Sequence, residues 1–162
     1  MRTIVVGLGN PILSDDSVGI RVAGLVKERL PAHGHVDVIE AYAGGLRLME
    51  AMAGYDRAII VDAVKSSLQP AGTIRVFSPD ATTATRNTLC THDADLATVL
   101  ALGRDLGLAL PDRVEIIGIE AHEVERFSEE LTPQVAAALP EAVNEVLRRC
   151  GVTDCEVKGQ QP

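Results

Sequence analysis

Three residues whose side chains can bind a metal ion or move a proton stand at the ends of predicted elements: Asp16, Asp62 and His92. Asp16 lies at the start of the first predicted helix, Asp62 ends an apolar strand, and His92 opens the helix after a long loop. Two carboxylates and one imidazole form a mixed oxygen and nitrogen set that suits nickel or zinc. Because three protein ligands leave coordination positions open, such a set can grip a metal that another molecule presents.

Each of these residues also has a purely structural interpretation. Asp is among the best residues for capping a helix, so Asp15 or Asp16 could do no more than begin the first helix. His92 could be a surface histidine beside a helix cap. Asp62 is harder to explain in this way, because a carboxylate at the end of an apolar strand needs a partner to offset its loss of water. Residue types alone leave these alternatives open.

A second set of residues gives weaker candidates. Cys90 stands two residues before His92 and is either a fourth metal ligand or, more simply, a small loop thiol. Glu120, His122 and Glu123 follow the last predicted strand, where they either line a groove for substrate or belong to a solvated charged loop.

Short β-branched strands alternate with amphipathic helices along most of the chain. Strands are predicted at residues 3–7, 36–39, 58–61, 72–77 and 114–118, and helices at residues 17–30, 46–53, 93–106 and 133–149. This alternation predicts a three-layer α/β fold, with a mostly parallel five-stranded sheet and helices on both faces. The strand at 72–77 closely follows the third strand, so we expect it to be an antiparallel neighbour of that strand. Ligands of such sheets bind beyond the carboxyl ends of the strands, where the candidate residues lie.

Length and charge limit the classes of function that this chain can have. Its 162 residues fit one domain, which we assign to residues 1–150, with residues 151–162 as a disordered tail. The formal net charge of −8 at pH 7 would repel nucleic acids and anionic lipids, and no apolar run is long enough for a membrane span. The start of the sequence carries no signal-peptide pattern, and its three cysteines show no paired spacing. We therefore expect a cytoplasmic protein without nucleic-acid or membrane partners.

The loop after the first strand begins with the string Gly7-Leu8-Gly9-Asn10-Pro11. As a dinucleotide-binding motif it lacks the third glycine, and Asp15-Asp16 would place two negative charges where a pyrophosphate should bind. The string also resembles the opening of bacterial peptidyl-tRNA hydrolases. The histidine-containing stretch that follows in that family is absent here, and the acidic surface would repel tRNA.

The stretch from Gly7 to Gly19 carries a longer pattern, Gly-x-Gly-Asn-x-Leu-x-x-Asp-(Asp/Glu)-x-x-Gly. The matching residues are Gly7, Gly9, Asn10, Leu13, Asp15, Asp16 and Gly19. This pattern resembles that of the hydrogenase maturation endopeptidases, which trim the C-terminus of nickel-iron hydrogenase large-subunit precursors. The similarity covers nearly the whole chain, including Gly118-Ile119-Glu120 and Leu131-Thr132-Pro133. One turn differs: residues 40–45 read Glu-Ala-Tyr-Ala-Gly-Gly, where relatives commonly carry an Asp-Gly-Gly-Thr-like turn.

The resemblance implies a phosphorylase/hydrolase-like fold and an endopeptidase activity on the large-subunit precursor of a nickel-iron hydrogenase. The family's metal-binding positions correspond to Asp16, Asp62 and His92, which would recognise nickel already inserted into the precursor and serve as the catalytic groups. Nickel would then belong to the substrate, and zinc or cadmium could replace it in vitro. The chemical step would use a carboxylate base or a metal-polarised water. The alternative function, favoured by the changed turn, is a binding module that inspects the nickel site without cutting.

Overall fold

The computed structural model describes residues 1–30, 34–79 and 96–152. The strands are β1 Thr3–Leu8, β2 Val36–Ala41, β3 Arg57–Val64, β4 Ile74–Phe77 and β5 Arg113–Glu120. The helices are α1 Val18–Arg29, α2 Gly45–Met52, α3 Leu96–Asp105 and α4 Pro133–Arg149, and a 3-10 turn, Ser14–Ser17, precedes α1. The five strands form one sheet in the order β2-β1-β3-β5-β4. No helix within the three described ranges is long and apolar enough to cross a membrane.

The central strand of the sheet is β3, which is covered along both edges and on both faces. All eight of its residues are buried, as expected for a parallel strand between two layers of helices. It pairs in parallel with β1 on one side and with β5 on the other. β1 is also buried along its whole length, whereas β2 and β4 are partly exposed edge strands.

Successive residues of the strands point to two separate cores. Val5 and Ile59 pack in the core that includes buried residues of α1 and α4. Ile4 and Ile60, one position away, pack in the core that includes buried residues of α2 and α3. The sheet therefore lies between two helical layers. The three-layer, mostly parallel fold with one antiparallel strand, which the sequence predicts, is confirmed.

The position of the antiparallel strand corrects one sequence prediction. β4 pairs with β5, from Ile74 opposite Ile119 to Phe77 opposite Ile116, and not with β3. The physical reason is that β3 must satisfy its buried backbone groups along both edges, and the eight-residue β5 pairs with it from end to end. The four-residue β4 then lies at the sheet edge, where a short strand leaves few backbone groups unpaired.

A network of charged side chains lies at the amino-terminal edge of the sheet. Arg57 donates to one oxygen of Glu115 through Nε, at 3.0 Å, and through Nη2, and Arg149 at the end of α4 donates to the other oxygen. The side chains of Arg57, Glu115 and Arg149 are only 10%, 13% and 18% exposed. Burial raises the pKa of Glu115, but the hydrogen bonds and charges of the neighbouring arginines outweigh burial and hold this pKa below its usual value.

The substitution Glu115→Gln is expected to lower the free energy of unfolding by about 2 kcal/mol at pH 7, because it leaves the buried Arg57 without its carboxylate partner. A carboxyl pKa that is depressed in the folded state stabilises the fold above the unfolded-state pKa, and this contribution is lost as the pH falls through the folded-state pKa. The difference in the free energy of unfolding between the wild-type protein and the variant should therefore be smaller when urea unfolding is repeated at about pH 3.5. Glu28→Gln, at an exposed position of α1, is the control. A difference of the same size at both pH values would contradict this prediction.

Candidate active site

The loop after β1 carries Asp16 to the carboxyl ends of β1 and β3. Gly19, in the first turn of α1, lies so close to both strands that a Cβ added to it would be 2.3 Å from the carbonyl oxygens of Leu8 and Val61. Gly9 is confined in the same way: its φ is 151°, and an added Cβ would lie 2.0 Å from the carbonyl oxygen of Asp16. These glycines therefore allow the 3-10 turn and α1 to contact the sheet directly.

The substitution Gly19→Ala is expected to lower the free energy of unfolding by about 2 kcal/mol, because α1 must move away from the strands to admit the methyl group. Gly24→Ala in the same helix is the matched control, since nothing lies within 4 Å of its added Cβ. That variant should gain about 0.5–1 kcal/mol from the higher helix propensity of alanine. Urea unfolding of the two variants measures the difference, and equal stabilities would show that the contact does not constrain α1.

Asp16 is buried within the loop and is 2% exposed. Its Oδ2 accepts the backbone N–H of Asn10 at 3.2 Å, and its carbonyl oxygen accepts the same N–H at 3.3 Å. The N-cap position of α1 is occupied by Ser17, which makes no side-chain cap hydrogen bond. Neither Asp15 nor Asp16 is therefore the N-cap of this helix, and the simple capping interpretation does not explain them.

Asp15 anchors the 3-10 turn to the segment between β5 and α4. Its carboxylate accepts the N–H groups of His122 and Glu123, both at 2.9 Å, and the N–H and hydroxyl of Thr132 at 2.7 and 2.8 Å. The residue is fully buried. The sequence offered only a capping role for Asp15, because these partners are 107 to 117 positions away along the chain.

A short parallel bridge strengthens this attachment. Leu13 pairs with Ser128 in this bridge. The N–H of Ser14 donates to the carbonyl oxygen of Ser128 at 2.8 Å, and the N–H of Ser128 donates to the carbonyl oxygen of Ile12 at 3.0 Å. The Ser14 hydroxyl donates to the carbonyl oxygen of Glu130 at 3.1 Å. Ser14 has a φ of 47°, which residues other than glycine rarely adopt, and these bonds hold it there. The turn that carries Asp16 is thus fixed on both sides.

Asp62 lies within β3, which continues to Val64 and so extends beyond the predicted strand. The residue is fully buried, and its Oδ1 accepts the N–H of Ala63 at 2.9 Å. The preceding residue, Val61, is the one whose carbonyl oxygen meets Gly19 at the start of α1. The structure therefore brings the 3-10 turn with Asp16 to the part of β3 that carries Asp62.

The third predicted ligand, His92, lies outside the described residues, as does Cys90. Within the described ranges, no group of three or more His, Cys, Asp or Glu side chains is arranged to hold a metal ion. Asp16 and Asp62 supply two buried carboxylates, each of which accepts a backbone N–H, and hard oxygen donors of this kind suit a divalent cation. The complete three-residue set remains a prediction.

Glu120, at the end of β5, and His122 and Glu123, which follow β5, have different environments. Glu120 is 2% exposed and accepts the N–H groups of Ser66 and Ser67, at 2.9 and 2.8 Å, and the Ser66 hydroxyl at 2.8 Å. It therefore shapes the loop after β3 and is not part of a solvated loop. His122 and Glu123 line an open cleft of about 320 Å³ beside the 3-10 turn.

Comparisons with known proteins show which family the chain is similar to. A family model described as hydrogenase maturation protease matches residues 20–149. The chain is similar to hydrogenase 2 maturation protease of Escherichia coli strain K12, with 30% identity over 148 residues, 91% of this chain and 89% of the relative. It is also similar to hydrogenase expression/formation protein HupD of Rhizobium leguminosarum bv. viciae, with 28% identity over 158 residues, 93% of this chain and 76% of the relative.

Solved structures show the same similarity. The hydrogenase maturating endopeptidase HybD from Escherichia coli aligns with a TM-score of 0.77 and 28% identity, covering 93% of this chain and 94% of that chain. The nickel-iron hydrogenase maturation protease HybD from Thermococcus kodakarensis aligns with a TM-score of 0.69 and 26% identity, covering 93% of this chain and 99% of that chain. Both alignments therefore extend over nearly the whole chain.

Proposed function

We propose, because the chain belongs to the hydrogenase maturation protease family, that it removes the C-terminal extension of a nickel-loaded large-subunit precursor of a nickel-iron hydrogenase. That the chain is a peptide hydrolase of hydrogenase maturation follows from the family itself. The proposal adds the precursor as substrate, the nickel ion as the feature recognised, and the residues that act. Its main support is the placement of two buried carboxylates, Asp16 and Asp62, at the same edge of the sheet.

In the proposed complex, Asp16, Asp62 and His92 bind the nickel ion that the precursor already holds. Carboxylate oxygens and an imidazole nitrogen are ligands that nickel accepts. Three ligands from the protease leave room for those by which the precursor keeps the ion. Nickel thus acts as part of the substrate, and a precursor that has not received its metal lacks the feature that these residues bind. Zinc or cadmium can occupy the same ligands in vitro.

The surroundings of the two carboxylates support a rigid site. Asp62 is held in the central strand of the sheet, and Asp16 is held in a turn that contacts β1 and β3 on one side and the segment after β5 on the other. A ligand set must keep its geometry to within a fraction of an ångström, which elements packed on both sides can ensure.

The chemical step breaks the peptide C–N bond by addition of water. A carboxylate takes the proton from the attacking water, or the metal polarises that water so that it attacks the carbonyl carbon, and the departing amine takes up a proton. Both routes use the same three residues. They differ in whether the metal is needed for chemistry or only for recognition.

Incubation of the purified protein with nickel-loaded and nickel-free precursor tests the proposal, with the mass of the precursor as the readout. We expect loss of a C-terminal peptide from the nickel-loaded form alone. A precursor that already lacks the extension is the control and should keep its mass. Cleavage of both forms would overturn nickel recognition while leaving the peptidase activity. Binding of the loaded precursor without any cleavage would instead identify a protein that inspects the nickel site.

A further inference from the structure

Several exposed apolar side chains lie at the carboxyl edge of the sheet, in the loops after β1, β2 and β5 and at the start of α2. Phe127 is 79% exposed and Tyr42 is 64% exposed, although the chain contains only two Phe, two Tyr and no Trp. Ile12 and Leu46 are also exposed, at 46% and 56%. Single exposed apolar residues are ordinary on protein surfaces, but a group of them beside a site indicates a surface that another molecule covers. We call these four residues the apolar rim.

One half of the apolar rim is fixed to the loop that carries Asp16. The carbonyl oxygen of Ile12 accepts the N–H of Ser128 at 3.0 Å, so Ile12 and Phe127 belong to two backbone segments that run side by side. Both backbones are held by this parallel bridge. Ordering the Phe127 side chain on binding therefore costs little backbone entropy, as in the rigid aromatic anchors of many interfaces.

The other half of the apolar rim borders the same loop from the β2 side. The N–H of Gly9 donates to the carbonyl oxygen of Ala41 at 3.1 Å, which joins the loop to the segment where Tyr42 and then Leu46 follow. The apolar rim thus lies on both sides of the loop that ends at Asp16.

We propose that the apolar rim is the docking surface for the folded body of the hydrogenase precursor, next to the C-terminal extension that is cut. This inference rests on the proposed function. A peptide hydrolase must bring a polypeptide to its catalytic carboxylates, and a folded substrate that reaches Asp16 must also cover the loops around it. Charged residues surround Phe127 in the sequence, at Arg126, Glu129 and Glu130, and an apolar centre with a polar periphery is the usual composition of a protein interface.

Kinetics with the Phe127→Ala variant test this docking surface. We expect KM for the nickel-loaded precursor to rise about tenfold while kcat stays within about twofold, because an interface anchor is lost and the carboxylates are untouched. Leu106→Ala is the matched control: Leu106 is 67% exposed and lies between α3 and the start of β5, away from the carboxyl edge. An unchanged KM for Phe127→Ala, or an equal rise for Leu106→Ala, would overturn the docking surface.

A second measurement separates docking from cleavage. A photoreactive side chain introduced at Phe127 is expected to crosslink to the precursor, and one introduced at Leu106 is not. A crosslink at Phe127 without cleavage by the wild-type protein would support the docking surface and overturn the proposed function. Cleavage of the precursor without this crosslink would support the proposed function and overturn the docking surface. A crosslink from Phe127 to a second copy of this chain, with a dimer in sedimentation that Phe127→Ala dissolves, would assign the surface to self-association and overturn the proposal.

Discussion

Asp62→Asn and Asp16→Asn are each expected to slow precursor processing about a thousandfold while changing the free energy of unfolding by less than about 1 kcal/mol. An amide has the shape of a carboxylate and keeps an oxygen for the N–H of Ala63 or Asn10, so the fold is retained. It carries no charge to bind nickel and does not accept a proton as a base. The initial rate of mass loss from the nickel-loaded precursor measures the effect.

The control for both variants is Asp112→Asn, an exposed residue just before β5 at the opposite edge of the sheet. It should process the precursor at the wild-type rate. Binding distinguishes the two roles of each carboxylate: a nickel ligand, when replaced, should lose the preference for loaded over nickel-free precursor, whereas a residue acting only as a base should keep it. Processing by Asp62→Asn at more than about a tenth of the wild-type rate would remove Asp62 from the mechanism.

The neighbouring substitution, Asp15→Asn, is expected to lower the free energy of unfolding by about 4 kcal/mol. The carboxylate of Asp15 is fully buried and accepts four hydrogen bonds, from His122, Glu123 and twice from Thr132. An amide in its place must turn an NH₂ group toward these donors and leaves some of them without an acceptor. The midpoint temperature of thermal unfolding should fall by about 8–16 °C, and urea unfolding measures the free energy of unfolding itself.

Two further variants sharpen the Asp15 prediction. Thr132→Ser retains the hydroxyl that donates to Asp15 and should unfold close to wild type. Thr132→Val loses that donor and should cost about 1 kcal/mol. If Asp15→Asn instead loses processing at full stability, Asp15 would have a chemical role, and the structural assignment would fail. Asp15 and Asp16 are thus identical in type and adjacent in sequence, but we expect Asp15 to stabilise the fold and Asp16 to act in precursor processing.

The fold class could be predicted because it depends on local patterns. The continuous apolar run from Ala58 to Val61 in β3 indicates a strand that is buried on both faces, and the helical spacing of apolar residues in α1 and α4 indicates helices with one buried side. The partner of β4 could not be predicted in the same way. Strand pairing depends on which strand edges remain uncovered once the whole sheet has formed, and β5, which takes that place beside β3, comes later in the chain.

The candidate site also contains residues that could be predicted from the sequence and residues whose roles could not. Residue types and their positions made Asp16, Asp62 and His92 candidates, but each also had a structural interpretation, and the resemblance to a family selected the three as a set. Of these residues, the described structure places Asp16 and Asp62. The sequence did not distinguish the support given by Asp15, nor the role of Glu120 in shaping the loop after β3, because the partners of both are far away along the chain.

By itself, the sequence determined the alternation of strands and helices and the glycine-containing pattern after β1, and it predicted the chemical character of the site. Each of these follows from one residue type in a local pattern, where sterics and burial act over a few neighbours. Only the tertiary structure decided which strand covers β5, which of two adjacent aspartates is anchored by the segment after β5, and which apolar side chains stay exposed around the site. These outcomes depend on contacts between segments up to 117 positions apart, and such contacts exist only once the chain has folded.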